Sequence, residues 1–118
     1  LVQGKPVHIG CYDKGINPVG ILAHLIAATE GSPDLTDCCD GEQTPPPAWV
    51  YLRDRKERYD VTLPQRVAAS LNLLTYDKTP DDVMYVLLEE TRRAVHDLQQ
   101  TMGSDLPVSV CSADELLQ

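Results

Sequence analysis

The sequence has no phenylalanine and a single tryptophan among its 118 residues. A chain so poor in aromatic residues must build its core from Leu, Val, Ile and Ala, so we expect an aliphatic core. The hydrophobic fraction of 42% is ordinary for globular proteins and argues against a disordered chain. We therefore expect one folded domain over residues 1–118 that buries most of its apolar surface.

Long apolar runs are also missing. The longest, residues 21–28, is far too short to cross a bilayer and contains His24. No basic segment precedes it, so it does not resemble a signal peptide, and no Asn-X-Ser/Thr site indicates secretion. We predict a soluble protein made in the cytosol, with its four cysteines reduced. The alternative, two disulfides in a secreted protein, stays open.

Basic residues are scarce, with 10 Lys and Arg against 18 Asp and Glu and a formal net charge of −8. This balance disfavours binding to nucleic acid or to an anionic membrane, so we expect neither partner. The charges are unevenly placed, because five of the ten basic residues lie within residues 53–66 while residues 32–47 carry four acids and no cation. Such polarity suits head-to-tail association of identical subunits, and two solvated loops are the alternative explanation.

The sequence also lacks the spacings that catalysis or metal binding requires. It contains no Cys-x-x-Cys or His-x-x-x-His pair, and its acidic residues do not follow the EF-hand pattern. We therefore expect no metal, no cofactor and no enzymatic activity. A small ligand-binding or enzymatic domain that uses His8, Cys11, His24 and Cys38 remains the alternative.

The first third of the chain predicts a strand, a helix and a loop. Alternation of apolar residues indicates a short strand over residues 5–12. A helix is expected from Pro18 to Glu30, with Asn17 as its N-cap and Gly31 as its stop. Residues 32–47 hold four prolines and four acids, and we predict a long acidic, proline-rich loop without regular structure.

The remainder predicts a sheet covered by helices. The expected elements are strands at 48–52, 59–63, 66–76 and 106–111, a long helix from Pro80 to Gly103, and a short helix at 112–117. Thr79 and Asp82 form the signature of a capping box before the long helix. The fold class expected is therefore α+β, with a mostly antiparallel sheet packed by two or three helices.

A resemblance to a known family rests on three segments of this pattern. They are the strand beginning Trp49-Val-Tyr-Leu-Arg-Asp-Arg, the strand and turn from Val67 to Val83, and the helix segment from Leu87 to Val95. Their order is similar to that of the tail terminator, or tail completion, proteins of long-tailed bacteriophages. The resemblance implies a structural virion protein, assembled in the host cytoplasm. Typically six copies would form a ring at the head-proximal end of the tail tube, where the ring would end tube growth and join the neck.

Under this hypothesis the two charged regions are the expected interfaces. We name the basic tip as Arg53, Arg55, Lys56 and Arg58, and we expect it to contact a neighbouring subunit. Its expected counterpart, or a contact to neck proteins, is the set Asp34, Asp37, Asp40 and Glu42. Contact of the basic tip with phosphate, with Trp49, Tyr51 and Tyr59 stacking on bases, is an alternative that the net charge disfavours.

Overall fold

The computed structural model describes residues 1–102 and 108–116 and has an α+β fold, as predicted. Within these ranges five strands and three α-helices follow one another: β1 (Val2–Gln3), α1 (Pro18–Thr29), β2 (Cys38–Cys39), β3 (Glu42–Gln43), β4 (Ala48–Asp54), β5 (Arg66–Asn72), α2 (Pro80–Met102) and α3 (Ala113–Leu116). Two 3₁₀ helices, Ile9–Lys14 and Pro33–Leu35, precede and follow α1. No helix of the described chain combines the length and the apolar character that a membrane crossing requires.

The main sheet has three antiparallel strands in the order β1-β5-β4. Val2 pairs with Val67 on one side of β5, and Asp54 pairs with Val67 on the other. The pairing of β4 with β5 extends to Ala48 and Asn72 and is interrupted by a bulge between Trp49 and Tyr51. Within the described residues, β4 therefore has a strand neighbour on one side and none on the other.

Helices α1 and α2 pack on each other, and the core forms between them and the sheet. Its apolar members are aliphatic, as the composition predicts, and lie in one cluster of Leu22, Leu25, Val67 and Ala94 and a second of Ile21, Val95 and Leu98. The predicted strand over 106–111 is not confirmed, because residues 108–112 have no strand pairing. Val108 and Val110 instead pack against the second cluster, and residues 106 and 107 lie outside the described part.

Local sequence signals explain where the helices begin and end. The Asn17 side chain accepts a hydrogen bond from the Val19 N–H at 3.1 Å, and Gly31 follows α1 with a φ of +68°. Thr79 and Asp82 cap α2 reciprocally, at 2.9 and 3.2 Å. These predicted caps are confirmed, and the predicted end of the long helix at Gly103 lies outside the described residues.

Two predicted strands are wrong. Residues 9–14 form a 3₁₀ helix because His8 Nδ1 accepts a hydrogen bond from the Gly10 N–H at 3.0 Å, which turns the chain. Residues 59–63 lie in a loop, in which a β-bridge joins Thr62 to His8. The strand predicted to reach residue 76 ends at Asn72. Because residues 59–63 are not a strand, β4 and β5 are joined by a long connection, residues 55–65, that we name the arm.

Candidate functional site: an open sheet edge between two charged regions

The predicted loop over residues 32–47 has more structure than its composition indicates. It contains the 3₁₀ helix Pro33–Leu35 and the hairpin of β2 and β3, in which Cys38 pairs with Gln43. Asp40 and Gly41 form the two-residue turn of this hairpin, with φ of +52° and +82°. Asp-Gly is the common sequence of such turns, so this dipeptide was the signal that the sequence analysis missed.

Asp37 holds this region to the start of α2. Its Oδ2 accepts hydrogen bonds from three successive backbone N–H groups, those of Tyr76, Asp77 and Lys78, at 2.7, 2.8 and 2.8 Å. Its Oδ1 accepts a fourth, from Cys38, at 2.8 Å. We name this arrangement the Asp37 clasp. Three converging backbone donors form a small anion-binding concavity, and here a carboxylate of the same chain occupies it.

The four donors favour the charged form of the carboxylate. The hydrogen bond from Lys78 is the largest cause that lowers the pKa of Asp37, from 3.8 to about 2, although desolvation acts in the opposite direction. The side chain is only 8% exposed. Of the acidic residues predicted as an interface, Asp37 is therefore buried inside the fold, where its carboxylate is not available to a neighbouring molecule.

The other three acids of that set, Asp34, Asp40 and Glu42, are exposed. Glu42 lies 3.5 Å from the hydroxyl of Tyr76, and the backbone carbonyl of Asp34 accepts a hydrogen bond from Lys78 Nζ at 2.8 Å. These carboxylates give an acidic surface close to the beginning of β4.

The basic tip lies at the opposite end of β4, where Arg53, Arg55 and Arg58 are exposed. Lys56 differs from them because its Nζ bonds within the arm, to Asp60 Oδ1 at 2.5 Å and to the carbonyl of Thr62. The hydrogen bond from Lys56 is the largest cause that lowers the pKa of Asp60. Among the described residues the three guanidinium groups of the basic tip have no ion-pair partner, whereas its lysine stabilises the arm.

The open edge of β4 connects these two charged regions. Three consecutive residues of the strand, Val50, Tyr51 and Leu52, are between 41% and 59% exposed. Trp49 is held on the inner face, where its Nε1 donates to Thr29 Oγ1 at 2.8 Å. An unpaired strand edge with apolar side chains on both faces is the surface feature of this molecule most typical of a protein interface.

The residues of the enzymatic alternative make local contacts. His8 caps the first 3₁₀ helix, and His24 Nδ1 donates to the carbonyl of Gly20 at 2.9 Å, one turn back on α1. All four cysteines are free, and the side chains of Cys38 and Cys39 leave β2 on opposite faces. The described residues contain no group of three or more His, Cys, Asp or Glu that a metal ion could share.

The surroundings of Cys39 change the acidity of its thiol. The negative charge of Asp77 is the main cause that raises the pKa of its thiol, and desolvation and a hydrogen bond with Asp40 act in the same direction. Because the thiolate is the nucleophilic form, this environment opposes a nucleophilic role for Cys39.

Comparison with known proteins gives two relatives and no family. No protein-family model matches the sequence, and no solved structure matches it. Protein RocB of Bacillus subtilis (strain 168) is 29% identical over 102 residues, which are 86% of this chain and 18% of RocB. Uncharacterized protein YqjN of the same organism is 25% identical over 100 residues, 85% of this chain and 18% of YqjN. The chain thus spans less than a fifth of the length of the curated relatives it matches.

Proposed function

We propose that this chain is a non-catalytic association domain that binds a second copy of itself through β4. The observation that carries the proposal is the unpaired edge of this strand, with Val50, Tyr51 and Leu52 exposed in succession. Stable sheet proteins commonly protect such edges with Lys, Pro or a covering segment. From Ala48 to Leu52 the strand has no charged residue and no proline. At its beginning the Trp49 N–H donates to Glu30 Oε2 at 2.8 Å, so the edge is open to pairing from Val50 onward.

Pairing of one strand with its own copy about a two-fold axis is antiparallel. A register centred on Tyr51 brings Val50 of each copy opposite the partner's Leu52, which buries apolar side chains on both faces. The two three-stranded sheets would then join into one sheet of six strands. Backbone hydrogen bonds would supply affinity, and the cross-strand side-chain pairs would fix the register.

The two relatives are compatible with an association domain but do not indicate one. In RocB and YqjN the similar segment is a minor part of a much longer chain. An association domain serves equally well alone or within a longer protein, because its function depends on a surface and not on a complete active site. The local hydrogen bonds of His8 and His24 favour structural roles over catalytic ones.

The narrower hypothesis, a subunit of a phage tail-terminator ring that contacts the tail tube and neck, rests on the sequence resemblance alone. It uses the basic tip and the acidic surface in a head-to-tail contact, whereas edge pairing of β4 gives a closed dimer. The mass of the native particle separates the two, because a ring has typically six copies and the proposed dimer has two.

Sedimentation velocity tests the proposal. We expect the wild-type chain to dimerise reversibly and the double variant Val50→Lys, Leu52→Lys to be a folded monomer, because both positions are exposed and two lysines oppose edge pairing. Met84→Lys is the matched control, since Met84 is exposed on α2, and it should dimerise like the wild type. A lysine variant that dimerises with unchanged affinity would disprove the role of β4.

A further inference from the structure

The two ends of β4 carry two different apolar surfaces. At its beginning, Pro45, Pro46, Leu73 and Leu74 line a groove of about 540 Å³, in which Leu74 is 61% exposed. We name it the proline groove. At the other end the arm presents Tyr59, which is 91% exposed and is the most exposed large apolar side chain in the described chain. One end therefore offers an apolar groove, and the other offers an aromatic side chain without a local packing partner.

The arm holds Tyr59 on a defined backbone. Lys56 Nζ bonds to Asp60 and to the Thr62 carbonyl, and Asp60 Oδ1 also accepts from the Thr62 N–H at 2.9 Å. The arm is tied to the N-terminal segment by the hydrogen bond from the Ile9 N–H to the Val61 carbonyl at 2.8 Å. A side chain presented on a loop fixed in this way loses little conformational freedom when it binds.

Tyr59 cannot reach the proline groove of its own chain. The seven residues of β4 separate the two, and a strand of that length spans roughly 20 Å. In an antiparallel pair Tyr59 of one copy lies near the proline groove of the other, because Asp54 of each copy lies beside the partner's Ala48. The arm of each copy, which begins at residue 55, then starts next to the residues that precede the partner's β4, and these include Pro45 and Pro46.

The charges at the two ends are also opposite. Arg53, Arg55 and Arg58 surround the base of the arm, and Asp40 and Glu42 are exposed on the hairpin that precedes the proline groove. Antiparallel pairing therefore brings each basic end beside an acidic end, twice per dimer. A parallel contact would instead bring like charges together, so the charges favour the antiparallel arrangement.

We infer that each copy inserts Tyr59 into the proline groove of the other, so that two identical arm-to-groove contacts stabilise the dimer. The ring of Tyr59 would pack on the pyrrolidine faces of Pro45 and Pro46 and on Leu74, with its hydroxyl at the wet rim. This inference rests on the proposed function, because only a second copy paired through β4 brings the arm to the groove.

A double-mutant cycle on the dissociation constant of the dimer tests the contact. Tyr59→Ser and Leu74→Ser change exposed residues and should leave the fold intact. Each should raise the Kd by roughly tenfold, because both truncate the same apolar contact. The double variant should then raise the Kd by clearly less than the product of the two single effects. Tyr85→Ser, at an exposed position on α2, is the matched control and should leave the Kd unchanged.

The outcomes separate this inference from the proposed function. If Val50→Lys, Leu52→Lys abolishes dimers while Tyr59→Ser and Leu74→Ser leave the Kd unchanged, the sheet edge pairs but the arm does not insert. Independent effects, in which the double variant equals the product of the single ones, would also overturn the insertion of Tyr59 beside Leu74. A wild-type chain that is monomeric at high concentration would overturn both proposals.

Discussion

The indole Nε1 of Trp49 donates a hydrogen bond to Oγ1 of Thr29 over 2.8 Å and so ties the beginning of β4 to the last turn of α1. The Thr29 hydroxyl is fully buried and donates in turn to the carbonyl of Leu25 at 2.7 Å. This short chain of hydrogen bonds fixes the inner side of the strand whose outer edge is proposed to pair.

Thr29→Val should therefore destabilise the fold. Valine keeps the shape of threonine but removes the acceptor, so the indole N–H loses its partner. We expect the free energy of unfolding to fall by about 1–3 kcal/mol and the tryptophan emission to shift, as measured by urea titration with fluorescence. Thr29→Ser, which keeps the hydroxyl, should recover most of the stability. Equal losses in both variants would show that the methyl packing lost in Thr29→Ser matters as much as the hydrogen bond lost in Thr29→Val.

The Asp37 clasp predicts a specific acid sensitivity. Since the pKa of Asp37 falls from 3.8 to about 2 on folding, its contribution to stability is complete above pH 4 and is lost as the pH falls toward 2. Asp37→Asn should lower the melting temperature at neutral pH by roughly 5–10 °C. The gap between wild type and variant should narrow between pH 4 and pH 2.

Asp34→Asn is the control for that measurement, because Asp34 is exposed and its side chain makes no hydrogen bond in the described structure. It should melt like the wild type. A gap between wild type and Asp37→Asn that stays constant from pH 4 to pH 2 would show that the charge of Asp37 is not what stabilises the clasp.

The buried face of α2 predicts a strong dependence of folding on Leu98. Its side chain is buried in the second core cluster, whereas His96 on the same helix is exposed. Leu98→Asp places an unpaired charge in the core and should cost about 3 kcal/mol or more, enough to unfold much of the population. Circular dichroism should show this loss, while His96→Asp should keep the native spectrum.

Charge reversal at the basic tip should weaken dimerisation and leave the stability of the single chain nearly unchanged. Changing Arg53, Arg55 and Arg58 together to Glu should alter the free energy of unfolding by no more than roughly 0.5 kcal/mol, because all three are exposed. Dimerisation should weaken by at least roughly tenfold, and the difference from wild type should shrink at high salt. The control is Arg92→Glu, Arg93→Glu on α2, which should dimerise like the wild type. Unchanged dimerisation of the triple variant would show that the basic tip is a solvated surface without a role in the dimer.

The sequence predicted best those elements whose signals are local. The caps at Asn17 and Thr79 each involve side chains within three residues of the N–H groups they satisfy, so the starts of α1 and α2 were read correctly. The hairpin turn at Asp40 and Gly41 was equally local and was missed because the surrounding prolines and acids indicated an irregular loop.

What depends on distant contacts was not predictable. The burial of Asp37 results from donors some 40 residues away, and no local pattern distinguishes it from the exposed Asp34 or Asp40. Alternation over residues 5–12 indicated a strand, but His8 bonds to Gly10 and turns the chain. The open edge of β4 follows from the strand order β1-β5-β4 and not from the sequence of β4 alone.

That strand order also constrains when the protein can fold during synthesis. The central strand of the sheet, β5, begins at Arg66, and the donors that complete the Asp37 clasp come later still, at residues 76–78. A ribosome that has released the chain up to residue 60 has therefore exposed β1, α1 and β4 without the strand that joins them. Until β5 emerges, both edges of β4 lack a strand partner and its apolar side chains are exposed. This nascent intermediate is therefore the state in which the chain is most prone to aggregate.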